Sequence, residues 1–143
     1  MAMWRQQPPQ ALWLPQLKEW SLGDNGQRLM AAEIAAIRRS CAREAYAFRQ
    51  CLLSPLDMDM ESVLPAPAQP LRAGSAVQQQ YQSNLDLLTD FDALPIATDT
   101  QDLVLVQHLL EFADNPHRVL REVERIVAPR GRIIVSCFNP LSY

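Results

Sequence analysis

The chain has 143 residues, a formal net charge of −3, 48% hydrophobic residues and 20% charged residues. That suits one small globular domain able to bury a core and excludes an extended nucleic-acid footprint, which needs clustered cations. No run approaches the ~20 apolar residues of a membrane span, and the opening MAMWRQQPPQ lacks the apolar core of a secretory signal.

In chain order, residues 1–25 hold Pro8, Pro9, Pro15 and Gly23 with Trp4, Trp13 and Trp20. They read as an extended leader with a helical turn around 16–20, packed onto the domain by its tryptophans. Over residues 26–45, Met30, Ile34, Ile37, Cys41 and Ala45 fall on one face of a helix, with Asn25 as N-cap. The basic group Arg38, Arg39 and Arg43 shares that helix with Glu33 and Glu44 and reads as a solvated face. Residues 46–53 are β-like and end in Cys51-Leu52-Leu53. Between 54 and 84, Pro55, Pro65, Pro67 and Pro70 break any long element, leaving room for two helical turns at 58–64 and a short strand within 71–81.

The pattern then sharpens. Residues 85–89 form a short strand, and 102–106 form a continuous apolar strand of the kind covered on both faces. Asn115 caps a helix with Pro116 at its first position, and Val119, Leu120, Val123, Ile126 and Val127 share a face. Pro129-Arg130-Gly131 makes a turn before a strand at 132–138. Strand, helix and strand of this length form a parallel βαβ unit. Asp90 and Asp92 follow one strand, and Gln107-His108 end the next. These are the carboxyl ends where open α/β sheets bind ligands. The three cysteines, Cys41, Cys51 and Cys137, are widely spaced, with no CxxC pair, and His108 and His117 complete no zinc pattern. Buried free thiols in a reducing cytoplasm are expected, with Cys137 inside its strand.

The motifs D90-F-D-A-L-P-I96, D102-L-V-L-V106, Q107-H-L-L-E-F112, the helix from Asn115, the Pro-Arg-Gly turn and the ending Phe138-Asn139-Pro140 occur in this order. Together they resemble class I S-adenosylmethionine-dependent methyltransferases, especially a proteobacterial branch of methyltransferase-like proteins. The resemblance implies an α/β fold: a three-layer, Rossmann-like, mostly parallel sheet, incomplete at its C-terminal side. It places a leader at 1–25 and a partial methyltransferase-like domain at 26–143. It implies S-adenosylmethionine as cofactor and a small-molecule methyl acceptor. Asp90 would accept a bond from the adenine amino group and Phe91 would meet the ring. Leu53 would lie beneath the cofactor cleft, and Gln107 and His108 would face the sulfonium and the acceptor. His108 is the titratable candidate for a base.

Two departures qualify this. The family's glycine-rich loop after the first strand lets the backbone approach the cofactor's methionine part. The matching place here reads Cys51-Leu52-Leu53-Ser54-Pro55-Leu56-Asp57-Met58, without glycine. No acid for the ribose follows the second strand; Glu61 is the nearest. The sequence also stops at Tyr143, soon after the fifth strand, as the N-terminal part of a longer protein would. The expectation is therefore an inactive or cofactor-weak methyltransferase, or alternatively a non-catalytic interaction module. A homodimer is expected, joined through the edge strand 132–138 or through the leader. A nicotinamide-binding domain is excluded because no GxGxxG opens a helix after the first strand.

Overall fold

The computed structural model describes residues 9–42, 49–56, 64, 69–82 and 84–139. Five parallel strands form one sheet in the order β3-β2-β1-β4-β5: β1 Gln50–Leu53, β2 Leu71–Gly74, β3 Leu87–Leu88, β4 Gln101–Gln107 and β5 Val127–Ser136. The helices are α1 Gln10–Leu22, α2 Asp24–Cys41, the short α3 Ala76–Gln79 and α4 Pro116–Ile126. The order of strands reverses between β1 and β4. That makes their carboxyl ends the switch point of the sheet, where such folds hold ligands.

Alternation along the central strands explains the layers. Cys51 and Leu53 of β1, with Val104 and Val106 of β4, pack with Val119, Val123 and Ile126 of α4. Leu52, Leu103 and Leu105 point the other way, onto Ile37 and Cys41 of α2. Successive strand residues face opposite sides, so burial on both sides demands an unbroken apolar run. The α4 helix begins as expected, since the Asn115 side chain accepts a bond from Arg118 N at 3.1 Å and Pro116 follows it. Leu120 falls outside the buried face, at 38% exposed.

Several expectations are corrected. The leader is helical over Gln10–Leu22 despite Pro15. Burial of Leu14 and Leu17 and the stacking of Trp13 on Phe112, 4.3 Å between ring centroids, offset the lost backbone bond. Asn25 lies inside α2, whose N-cap is Gly23. The short strand expected within 71–81 is present as β2, but the helix α3, capped by Ser75, follows it unforeseen. The turn at Pro129–Gly131 is a bulge within β5: Gln101 pairs with Val127, yet Leu103 already pairs with Arg132. A Cβ at Gly131 would sit 2.7 Å from the Gln101 carbonyl oxygen, so the bulge closes on β4 only with glycine. Cys137 is exposed because it lies past the end of β5 on the sheet's edge. The expected helix at 58–64 and strand residues 46–48 fall outside the described residues, apart from Leu64.

Candidate functional site: a closed crevice at the switch point

Chain connectivity brings Ser54 after β1, Ser75 after β2, Gln107-His108 at the end of β4 and Ser136 at the end of β5 to the same edge of the sheet. Gln107 is fully buried. Its Oε1 accepts from Ser54 Oγ at 3.1 Å and its Nε2 donates to Glu33 Oε1 at 3.0 Å. His108 follows with φ of 48°, in the left-handed region that non-glycine residues seldom occupy. That turn aims its ring between two carboxylates: Nε2 lies 2.7 Å from Glu33 Oε2 and Nδ1 lies 2.9 Å from Glu111 Oε1. Phe138 stacks on the ring with centroids 4.0 Å apart, and Ser136 Oγ donates to Glu33 Oε1.

Electrostatics follows from this packing. Burial disfavours the imidazolium, but hydrogen bonds from His108 to Glu111 and Glu33, with their charges, outweigh it and push its pKa up to about 9. Burial likewise works against the charged carboxyls of Glu33 and Glu111. The His108 bond leads the opposing effects and holds both below the usual carboxylate value. Charge is thus locked across α2, β4 and the 3-10 turn Leu110–Phe112. Glu111 Oε2 is buried without a partner among the described residues. Burial pushes the Cys51 thiol up to about 12, which removes it as a nucleophile. No group of metal-binding side chains occurs among the described residues.

The methionine end of the expected cofactor cleft is filled. Ser54 is 4% exposed, its Oγ is bonded to Gln107, and its carbonyl accepts from Gln78 Nε2. Leu56, 2% exposed, packs under Leu17 and Met30. At the end of β2, Gln78 Oε1 lies 2.9 Å from where a Cβ on Gly74 would be. These residues do not fit the methionine part of S-adenosylmethionine in this arrangement. The far side differs. Asp90 is exposed after β3, its carboxylate takes no bond among the described residues, and Phe91 is half-buried against the core. Asp90 and Phe91 could therefore receive an adenine.

Of the residues expected to act, Gln107 and His108 come together at the crevice, and Asp90 and Phe91 lie after β3. The Leu53 side chain is fully buried in the core, leaving only its backbone near the cleft. The sequence reading missed Glu33, Ser54, Gln78, Glu111 and Ser136. Glu33 had a signal, since an acid bordering the stripe of Met30, Ile34 and Ile37 needs a buried partner. A wide groove of about 680 Å³ lies at the opposite, amino end of the strands, lined by Arg49, Arg72, Asp86 and Gln101 among others. It is remote from the switch point.

A methyltransferase-domain family matches residues 69–135. An uncharacterized protein of Escherichia coli, YafS, is 40% identical over 50 residues, which are 35% of this chain and 21% of that protein. The malonyl-[acyl-carrier protein] O-methyltransferase of Hahella chejuensis is 35% identical over 49 residues, 34% of this chain and 18% of the enzyme. The match thus spans about a fifth of these curated relatives. Among solved structures, a candidate S-adenosyl-L-methionine-dependent methyltransferase of Methanococcus maripaludis has a TM-score of 0.62 at 13% identity, covering 87% of this chain and 62% of that one. The [4+2]-cyclase SpnF reaches 0.64 at 16% identity, covering 88% and 57%. These likenesses establish the class I methyltransferase fold. With a cyclase among the similar structures, the fold alone does not fix the chemistry.

Proposed function

We propose that this chain, whose residues 69–135 match a methyltransferase-domain family, serves as an S-adenosylmethionine-dependent methyltransferase of small-molecule type in a cofactor-weak form. S-adenosylmethionine is the cofactor that the family and the fold imply. One observation carries the reading: an exposed Asp90, whose carboxylate takes no bond among the described residues, follows β3 while Ser54, Gln78 and Gln107 close the end of β1. The cofactor, when bound, would supply an electrophilic methyl group. Asp90 would orient the adenine through its amino group and Phe91 would pack against the ring. His108, charged at neutral pH and engaged at both nitrogens, would hold the crevice in place and could not accept a proton. We place the protein in the cytoplasm, where the thiols of Cys41, Cys51 and Cys137 would stay reduced; no helix among the described residues is long and apolar enough to cross a membrane.

Titration calorimetry with S-adenosylmethionine and S-adenosylhomocysteine tests this reading. Binding weaker than about 10 μM is expected, about −7 kcal/mol on the affinity scale. Asp90→Ala should weaken it by a further ~1.5–3 kcal/mol, the scale of a hydrogen bond to a charged group. Unchanged affinity would remove Asp90 from the site, and binding tighter than the stated limit would show that Ser54 and Gln78 yield readily.

A second reading, a module that works through protein contacts, is favoured by the edge of the sheet. Ile133 and Val135 of β5 are 39% and 45% exposed on an edge strand, a template for strand pairing. We propose a homodimer through β5. Size-exclusion chromatography with light scattering at micromolar concentration should give twice the monomer mass, and Ile133→Lys should return the monomer. A monomer that stays soluble and melts cooperatively would sink the dimer.

A further inference from the structure

The two N-terminal helices are held to the domain by different means. Glu33 fixes α2 through three partners, the buried Gln107 and His108 and the half-buried Ser136. The α1 helix lies over the carboxyl ends of the strands through dispersed contacts. The Gln10 amide oxygen accepts from Ser75 after β2, Lys18 Nζ donates to the exposed Tyr81 carbonyl, and Leu17 covers Leu56 after β1. Trp13 stacks on Phe112, and Trp20 meets the edge of Phe138 at 5.3 Å. Only Gly23 separates the two helices, and their corner is very tight: a Cβ on Gly26 would lie 2.1 Å from the Trp20 carbonyl oxygen.

We propose that α1 is an autoinhibitory roof. It closes the crevice above Ser54 and must swing away at Gly23 before S-adenosylmethionine can enter. This rests on the cofactor reading above and adds a regulatory step to it. Any partner or ligand that captures α1 would open the site, whereas α2 and the Glu33–His108–Glu111 lock would stay in place. The geometry explains the asymmetry: Leu17 of α1 packs on Leu56, two residues past Ser54, and no ion pair among the described residues joins α1 to the domain, so lifting it breaks none of them.

Gly26→Ala tests the roof directly, because the added methyl must push α1 off the corner while the sheet keeps its own contacts. Trp13→Ala, which removes the stack on Phe112, provides a second variant should the first fold poorly. In a Ser54→Cys, Cys137→Ser background of the full chain, maleimide labelling at position 54 should run about tenfold faster in either variant, as local opening comes to govern access. Calorimetry with S-adenosylhomocysteine should show about tenfold tighter binding. In the parent chain, ligand should speed hydrogen exchange of the α1 amides. Equal labelling rates in variants whose circular dichroism is native would overturn the roof, as would α1 amides that become more protected with ligand. Faster labelling with no binding at millimolar ligand would leave the roof standing and refute the cofactor reading.

Discussion

Glu33→Ala is expected to destabilise the fold by about 3–5 kcal/mol, the range for removing one partner of a buried ion pair. The Glu33 carboxylate accepts from Gln107 Nε2, His108 Nε2 and Ser136 Oγ. Its loss strands three donors and leaves the imidazolium, 2% exposed, with Glu111 alone. Glu33→Gln should cost less, because it keeps the shape and the carbonyl acceptor while losing the charge. Urea unfolding of the parent and the two variants, compared at constant slope, measures the difference. A loss below about 1 kcal/mol would put the pair on a par with a surface salt bridge. The apolar contacts of Ile37 and Cys41 would then be what anchors α2.

The parts of the fold legible in the sequence are those where one pattern had one physical solution. The Val-Leu-Val run of β4 could only be a strand buried on both faces, and Asn115-Pro116 with Val119, Val123 and Ile126 could only start and line a helix. The α1 helix was hidden because Pro15 argues locally against it. Contacts made far along the chain, Trp13 with Phe112 about 100 residues on and Leu17 with Leu56 about 40 residues on, help offset that cost. The bulge at Gly131 was hidden because a turn and a bulge use the same residues, and only the register against Gln101 and Leu103 separates them.

The candidate site was legible by position and illegible by partnership. The carboxyl ends of parallel strands singled out Asp90, Gln107 and His108 from sequence. What each does depends on residues distant in the chain: Glu33 meets His108 across 75 positions, and Ser54 meets Gln107 across 53. The missing glycine after β1 has a structural counterpart in the buried residues that follow that strand. Ser54, Pro55 and Leu56 occupy the place where the backbone would otherwise admit the cofactor. The sequence could not show that Gln78 reinforces the closure from α3, since no helix is expected there from a short strand within 71–81 and the polar run that starts at Gln78.

Stability is expected to be greatest between about pH 4.5 and 6.5 and to fall on both sides, with the alkaline limb belonging to His108. The folded pKa of His108 is raised from 6.5 to about 9. Its contribution is therefore complete below 6.5 and disappears as pH rises through about 9. The displacement corresponds to about 3 kcal/mol at most. Glu33 and Glu111 act in the opposite sense. Their folded values lie below 4.5, so their contribution is complete above 4.5 and is lost as pH falls through the lowered values. Urea unfolding of the parent and His108→Gln at about pH 6 and about pH 10 isolates the histidine, because every other titration is common to both proteins. The parent should be the more stable at the lower pH, and most of its advantage should vanish at the higher one. An identical alkaline loss in both would mean that His108 folds as the neutral ring. It would then be free to accept a proton, and a role as catalytic base at the switch point would be restored.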